Sequence, residues 1–216
     1  MNKYLKESLL IIFAVLPLIY LSIVWKSLPD IVPTHFNIDG VADNWSSKTT
    51  LIYLPGAMGF GIYLLMLIIP YIDPKKKIEQ MGSKYYNLRF VLSFFMSVLT
   101  IYIIYISRIG NMKDSNLLFV IIGSLCALLG NYFQTVRPNY FVGIRTPWTL
   151  ENEEIWKKTH RFGGKLWMLG GLLIVLLAFL IKNNVVFTKI FTALILLIAI
   201  IPIVYSYIEF QKEKKS

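Results

Sequence analysis

The run GGKLWMLGGLLIVLLAFLI, residues Gly163 to Ile181, decides the fold class, because it is apolar except for one lysine near its start. A helix of about 20 residues is long enough to cross the ~30 Å hydrocarbon core of a bilayer. Five more runs of about 18 to 22 residues carry almost no charge. The sequence therefore predicts an all-α, polytopic membrane protein with six transmembrane helices. The predicted spans are residues 8–25, 51–72, 88–107, 116–135, 163–181 and 186–207.

The composition agrees with this class and argues against a soluble one. The chain is 56% hydrophobic and 16% charged, whereas soluble domains are roughly 25% charged. A net charge of +10 would suggest nucleic-acid binding in a soluble protein, but cytoplasmic loops of membrane proteins are rich in Lys and Arg. We therefore expect the lipid bilayer as a partner and no direct nucleic-acid contact. Cys126 lies within an apolar run, where a buried and unreactive thiol is expected.

The orientation follows from the first run and from the distribution of positive charge. Residues 8–25 follow a basic N-terminus, but the run is long, contains Pro17 and lacks a small-x-small cleavage site, so we interpret it as an uncleaved helix. With the N-terminus inside, most of the 22 Lys and Arg residues fall in cytoplasmic segments. Both termini are therefore predicted to be cytoplasmic, with loop 26–50 outside and loop 136–162 inside.

The inner loop concentrates specific chemistry in residues 139–167, NYFVGIRTPWTLENEEIWKKTHRFGGKLW. Thr149 can cap a helix whose first turns carry glutamates and whose last turns carry basic residues, as the helix dipole favours. This pattern predicts a short helix over 150–162 at the inner membrane surface. The residues that recur at helical spacing on one side of it are Trp156, Thr159, His160, Gly163 and Trp167.

The opposite side of this predicted helix is basic. Lys157, Lys158 and Arg161 are expected to point toward phospholipid head groups and water, with Trp148 and Trp156 at the membrane interface.

Two alternatives stay open for Arg145 and for His160. The Arg145 guanidinium is a fork of five donors, which can pin the loop to a helix end or a glutamate, or contact a partner or lipid head group. His160 is either a hydrogen-bonded structural residue or a functional one. A metal site would need more ligands than the sequence places near it.

Four glycines recur in two pairs seven residues apart, at Gly163 and Gly164 and at Gly170 and Gly171. Small residues repeated on one face of a membrane helix allow a neighbouring helix to approach closely. These glycines are therefore predicted to be packing residues.

The outer loop carries a second motif, from Pro33 to Lys48. Its residues 37–40, Asn-Ile-Asp-Gly, fit a β-turn with Asn first and Gly fourth. His35, Asp39 and Asp43 are spaced four apart, which would suit a metal or general base on a helix, but the turn argues against a helix there. We expect a rigid cap with Phe36 and Trp45 packed on the helix ends, a surface that can also meet an extracellular ligand.

Both motifs resemble known families. Residues 28–48, LPDIVPTHFNIDGVADNWSSK, resemble the DUF1648 pattern, and residues 139–167, with GIRTPWTL and WKKTHRFGG, resemble the SdpI/YfhL family signature. On this resemblance the chain divides into a DUF1648-like region, 1–72, with the first two helices and the outer loop, and an SdpI/YfhL-like region, 73–216, with the last four helices and the inner loop.

The resemblance implies a bacterial plasma-membrane protein that protects the cell against a secreted SDP-type killing peptide. It also implies a signalling role, in which the protein holds an SdpR-like, ArsR-type transcriptional repressor at the membrane. The alternatives are a small transporter or exporter and a membrane-integrity paralogue of unknown ligand.

Coupled transport and catalysis are disfavoured by the residues themselves. Ion-coupled carriers place ionisable residues near the bilayer midplane, whereas here the ionisable residues, such as Glu7 and Arg89, lie at the edges of the predicted spans. An enzyme needs convergent catalytic groups, but His35 and His160 are predicted on opposite faces. We therefore expect no catalytic residues, no metal and no cofactor.

The predicted contact residues are divided between the two loops. Those of the outer loop, expected to bind the toxin or another partner, are Pro33, His35, Phe36, Asn37, Gly40, Asp43, Trp45 and Lys48. Those of the inner loop, expected to bind a partner, are Asn139, Gly143, Arg145, Thr146, Pro147, Trp148, Trp156, Thr159, His160 and Arg161.

Overall fold

The computed structural model describes residues 2–111 and 116–214. Within them, six helices are long and apolar enough to cross a membrane, which confirms the predicted all-α, six-span class. These spans are Tyr4–Ser27, Lys48–Ile72, Ser83–Ile109, Asn116–Phe133, Glu153–Leu180 and Asn184–Glu213. The chain forms two compact units, one of Met1–Ile68 with Arg89–Ile121 and one of Ile69–Leu88 with Ile122–Ser216.

The described part of the chain contains α-helices, two strands and short turns. The α-helices are α1 (Lys3–Val24), α2 (Ile62–Ile72), α3 (Ser83–Ile109), α4 (Asn116–Phe133), α5 (Pro147–Glu151), α6 (Glu153–Leu180) and α7 (Asn184–Glu213). Two strands, β1 (Ile31–Phe36) and β2 (Ala42–Ser47), lie between the first and second spans. Short 3-10 turns occupy Trp25–Ser27, Lys48–Ile52 and Glu79–Met81.

The second span is irregular before it becomes an α-helix. It starts with a 3-10 turn capped by Ser47, whose hydroxyl accepts from the Thr49 amide, and continues as a π-helix over Pro55–Gly61. Gly59 of this π-helix lies against α1, where a Cβ would come 2.7 Å from the Ala14 carbonyl oxygen. The absence of a side chain therefore lets the two backbones meet.

The fifth span corrects the prediction of a separate surface helix over 150–162. The chain is one helix from Glu153 to Leu180, preceded only by the five-residue α5. The Asn152 side chain caps α6 by accepting from the amides of Glu154 and Ile155. No proline interrupts the sequence that follows, so the charged segment and the apolar run fold as one rod. Helix ends are also set by capping, and Thr149 does not cap this helix.

The unit of Met1–Ile68 and Arg89–Ile121 has its core directly beneath the two strands. Val32 of β1 is fully buried, and it belongs to a cluster with Leu21, Leu28, Leu51 and Ile104. The strands are thereby fixed to the helix ends by apolar contact, because removing these side chains from water favours the docked arrangement.

The same unit contains a charged pair between two helices. Arg89 of α3 donates to both carboxylate oxygens of Glu7 on α1, at 2.7 and 2.9 Å. The Tyr63 hydroxyl lies 3.4 Å from the same carboxylate. The Arg89 side chain is 9% exposed and that of Glu7 is 30% exposed, so the pair is largely shielded from solvent.

In the other unit, α6 packs between two helices by means of its glycines. Gly164 faces α4, where a Cβ would come 2.6 Å from the Gly130 carbonyl oxygen, and a Cβ on Gly171 would come 2.5 Å from the Gly123 carbonyl oxygen. Gly170 faces α7, where a Cβ would come 2.6 Å from Ile198. A Cβ on Gly163 would come 2.6 Å from Ile144 of the loop before α5 and 2.9 Å from Pro202 of α7. The predicted packing role of these glycines is confirmed, and it serves two neighbours.

Candidate functional site

The motif from Pro33 to Lys48, predicted as a rigid cap, lies in a β-hairpin. Strands β1 and β2 pair antiparallel, from Ile31 opposite Ser47 to Phe36 opposite Ala42. The predicted turn is confirmed, since the Gly40 amide donates to the Asn37 carbonyl at 2.9 Å. The Asn37 side chain also accepts from the amides of Asp39 and Val41, at 3.0 Å each. Asn37 and Gly40 thus shape the turn.

The polar residues of the hairpin pair with each other. His35 Nδ1 lies 2.5 Å from an Asp43 carboxylate oxygen across the strands, and both side chains are exposed. Lys48 Nζ lies 2.9 Å from Asp30 at the base, and this hydrogen bond and charge lower the pKa of Asp30. Exposed ion pairs of this kind contribute little to stability, so their main effect is to set register and charge. Among the described residues, no group of three or more His, Cys, Asp or Glu is placed to hold a metal ion.

An apolar pocket of about 430 Å³ lies beneath one side of the hairpin. Pro33, Thr34 and Phe36 of β1 form part of its wall. The remaining wall residues come from the start of the second span, from α3 and from α4: Thr50, Leu51, Leu54, Leu99, Tyr102, Ile103, Ile106, Ser107 and Leu118. The pocket therefore joins the DUF1648-like motif to membrane-spanning helices.

Phe36 and Trp45 have different environments, although both were expected to pack on the helix ends. Phe36 is half-buried and lines the pocket. Trp45 exposes 54% of its surface, so for this residue the expectation is wrong. Trp45 lies on β2, which has no buried residue, whereas Val32 and Pro33 of β1 are buried.

The second motif begins with a tight loop organised by Asn139. Its side chain accepts from the amides of Phe141 and Val142 and donates to the carbonyls of Arg137 and Val142, at 2.7 to 3.0 Å. Asn139 is only 3% exposed, and these four hydrogen bonds use most of its capacity. Its side chain therefore shapes the loop from inside and offers little surface to a partner.

His160 joins this loop to α6. Its Nε2 accepts from the Ile144 amide at 2.8 Å, and its Nδ1 lies 2.9 Å from the Trp156 carbonyl oxygen. These partners require the tautomer with hydrogen on Nδ1 and a lone pair on Nε2, which is a neutral imidazole. Gly143 has φ 114°, and a Cβ there would run into the His160 ring. The geometry supports the structural alternative for His160.

Trp156 is also internal, which corrects its predicted place at the interface. Its side chain is fully buried, stacks on His160 with centroids 3.9 Å apart and donates its indole N–H to the Val136 carbonyl at 2.9 Å. Thr159 is fully buried as well, whereas Arg161 is exposed. As predicted, Trp156 and Thr159 lie on one side of this helix and Arg161 on the other, but the side with Trp156 packs against protein.

The Gly-Ile-Arg-Thr-Pro-Trp turn ends in a capping box. Thr146 caps α5 and accepts from the Thr149 amide, while the Thr149 hydroxyl accepts from the Thr146 amide at 2.8 Å. Thr149, predicted to cap the helix that follows, instead completes this box at the start of α5. Pro147 takes the first helical position, where its missing N–H costs nothing.

Trp148 and Arg145 have contrasting neighbours. The Trp148 indole donates to the Ser206 hydroxyl of α7 at 2.7 Å and the ring stacks on Phe210. Arg145 is exposed and donates from Nη1 to the Tyr140 carbonyl at 2.5 Å, which holds the loop to itself. The arginine therefore has a loop-pinning contact and still presents donors to solvent.

A second cavity, of about 600 Å³, lies beside this loop and has a basic wall. His160 and Arg161 are the predicted site residues that line it. Lys77 and Arg137 were not predicted as site residues. The contact of Trp148 with Ser206 and the cap formed by Asn152 were not predicted either. An asparagine directly before two glutamates was the available signal for Asn152.

In the described parts of the chain, six candidate spans, a strand hairpin after the first and a tight loop before the fifth define a multi-pass membrane protein. Residues 135–206 match the SdpI/YfhL protein family and residues 12–59 match DUF1648, a domain of unknown function. These two matches confirm the predicted resemblance. The chain is 26% identical to the immunity protein SdpI of Bacillus subtilis (strain 168) over 208 residues, 96% of this chain and 97% of that protein. No solved structure matches the chain.

Proposed function

We propose that the protein is a membrane immunity protein that protects a bacterium against a secreted SDP-type killing peptide. The relative named as an immunity protein aligns with nearly the whole chain, which supports a shared role. Binding, rather than catalysis, is the activity that this proposal requires.

The observation that carries the proposal is the apolar pocket beneath the hairpin. Its apolar lining suits the apolar side chains of a peptide segment, and its 430 Å³ would hold a few of them. Four further apolar side chains of the hairpin are exposed, Ile31 by 65%, Ile38 by 45%, Val41 by 59% and Trp45 by 54%. Exposed apolar residues near a pocket are typical of a binding surface. We infer that the peptide contacts the hairpin and inserts side chains beside Phe36.

The proposal places the hairpin outside the cell, where a secreted peptide arrives. Three spans separate the hairpin from the loop at 137–151, so the two segments are predicted on opposite sides of the membrane. Single cysteines at Thr34 and Arg145, in a Cys126→Ser background, test this placement. A membrane-impermeant maleimide should label the cysteine at position 34 in intact cells and the cysteine at position 145 only after lysis. Labelling of both in intact cells would contradict the orientation.

A survival assay with a matched pair of substitutions tests the function. Ile103→Trp would fill the pocket from α3, while Tyr105→Trp changes an exposed residue of the same helix that does not line it. In a toxin-sensitive strain challenged with purified peptide, the parent and Tyr105→Trp should protect and Ile103→Trp should fail at equal protein level. Failure of the parent to protect would refute immunity against that peptide. Equal protection by both variants would leave immunity standing and remove the pocket from it.

Retention of an SdpR-like repressor stays a prediction from the motif resemblance. A reporter driven by the repressor's promoter tests it, with Arg145→Ala and Trp148→Ala as variants. Transport is less well supported, because Glu7 and Arg89 neutralise each other and lie near the ends of their helices.

A further inference from the structure

The cavity beside the second motif carries an excess of positive charge that the immunity proposal does not use. Five of its wall residues are cationic: Lys77, Arg137, Lys157, Lys158 and Arg161. Two are anionic, Glu153 and Glu154. All seven lie in one compact unit, Ile69–Leu88 with Ile122–Ser216. An opening of about 600 Å³ with this balance favours an anionic occupant.

The positive charges differ in whether the protein already neutralises them. Lys157 lies 3.8 Å from Glu153, and Lys158 lies 3.5 Å from Glu209. In the described part of the chain, the side chains of Lys77, Arg137 and Arg161 make no ion pair. These three cations are available to an external anion. Two of them are arginines, whose planar forks bind phosphate oxygens in pairs.

The place of the cavity in the fold indicates the source of the anion. Its wall includes residues just after the end of α4 at Phe133 and residues in the first turns of α6. Both helices are membrane spans, so their ends lie at the depth of the phospholipid head groups. Basic pockets between such helix ends are sites where anionic lipid head groups bind.

We infer that this cavity binds the phosphate group of an anionic phospholipid, with Arg137 and Arg161 as its main ligands. Gln134 and Thr135, which also line the cavity, offer neutral polar groups for the glycerol part of a head group. The same cations would attract a free phosphate ester, so lipid and soluble phosphate are the two sources to separate.

The test uses the purified full-length protein in a neutral detergent. Four compounds are titrated separately: phosphatidylglycerol, phosphatidylcholine, glycerol 3-phosphate and inorganic phosphate. Native mass spectrometry measures the bound lipid, and the unfolding temperature is recorded in each titration. Phosphatidylglycerol should bind and raise the unfolding temperature, and phosphatidylcholine should do so much less. A similar effect from glycerol 3-phosphate would assign the site to soluble phosphate esters, which share the inferred chemistry.

Charge-matched variants locate the site. Arg137→Gln with Arg161→Gln should weaken phosphatidylglycerol binding by about tenfold or more, because each cation near a membrane surface contributes about fivefold. The control, Lys165→Gln with Lys182→Gln, removes the same charge outside the cavity wall and should change binding by less than about threefold. Both double variants must keep the parent's circular dichroism spectrum. Equal binding of phosphatidylglycerol and phosphatidylcholine, or equal weakening by both double variants, would overturn the inference.

Discussion

The amide of Ile144 donates a 2.8 Å hydrogen bond to Nε2 of His160, sixteen residues later in the chain. This contact ties the start of the Gly-Ile-Arg-Thr-Pro-Trp turn to the first part of the membrane-spanning helix α6. The histidine can accept this bond only as a neutral ring, which explains why it sits among buried neighbours such as Trp156. The loop and the start of α6 therefore form one structural element.

Replacing His160 with Phe should release this loop. The substitution leaves the Ile144 amide without its acceptor in a part-buried place, which costs about 1–3 kcal/mol locally. We expect faster trypsin cleavage after Arg145, because the freed turn can enter the protease. His160→Gln, which retains an acceptor, should be cut more slowly than the Phe variant, and His35→Phe on the exposed hairpin should match the parent. Equal cleavage of the Phe variant and the parent would show that the bond does not hold the loop.

The Glu7–Arg89 pair should be strongly coupled. Arg89→Gln leaves a partly shielded carboxylate without its partner, and Glu7→Gln does the reverse, so each is expected to lower the free energy of unfolding by about 2 kcal/mol. The double substitution removes both charges and should cost less than the sum of the single ones. Unfolding in detergent, arranged as a double-mutant cycle, measures the coupling. Additive effects would show that the pair contributes no net interaction.

The glycines of α6 should respond to alanine in the opposite way from ordinary helix glycines. Gly→Ala in a helix usually stabilises by roughly 0.5–1 kcal/mol. At Gly164 and Gly171 the added methyl would meet the backbone of α4 at 2.6 and 2.5 Å, so each variant should instead lose about 2 kcal/mol or more. Gly56→Ala is the control, since a Cβ there meets nothing within 4 Å. The measurement is thermal unfolding of the purified variants. Equal changes in unfolding temperature for all three would contradict this packing.

The Trp148–Ser206 hydrogen bond should anchor α5 to α7. Ser206→Ala removes the acceptor of the indole N–H and is expected to cost about 1 kcal/mol in the free energy of unfolding. Trp148→Phe keeps an aromatic ring beside Phe210 but removes the donor, so adding Ser206→Ala to it should cost little more. A full further loss in the double variant would mean that Ser206 acts through another contact.

The base of the hairpin should be sensitive to acid through Asp30. The Lys48 hydrogen bond and charge hold the pKa of this exposed carboxyl below its ordinary value. A carboxyl with a lowered folded-state pKa stabilises the fold at neutral pH and loses that contribution as the pH falls through the folded-state pKa. Lys48→Met should therefore raise the pKa of Asp30 toward its ordinary value in an NMR titration, while Lys26→Met should not. An unchanged pKa would show that the pair does not form in solution.

The apolar runs and glycine spacing were sufficient to predict the spans and the close packing of α6, because both signals depend on short-range periodicity. The hairpin strands were missed, since a polar stretch such as ADNWSS lacks the alternating pattern by which strands are recognised. The charged segment that begins at Glu153 was predicted as a separate helix, because the composition of the chain changes from charged to apolar at Phe162. Backbone continuity depends on caps and on the absence of breakers, and polarity alone does not reveal it.

The binding surfaces were harder to predict than the fold. Asn139, Thr146 and Trp156 carry polar groups or aromatic rings as contact residues do, yet these groups are bonded inside the protein. Only distances between residues far apart in sequence reveal this, as with the Trp156 indole and the Val136 carbonyl. The division of the chain at residue 72 and the contact residues of both loops stay predictions.

The glycine contacts of α6 have a mechanical consequence. With backbone against backbone at Gly164 and Gly171, and bulky side chains seated on Gly163 and Gly170, this rod cannot turn or slide past either neighbour without steric overlap. Any movement of α6 is therefore expected to move the contacting segments of α4 and α7 with it.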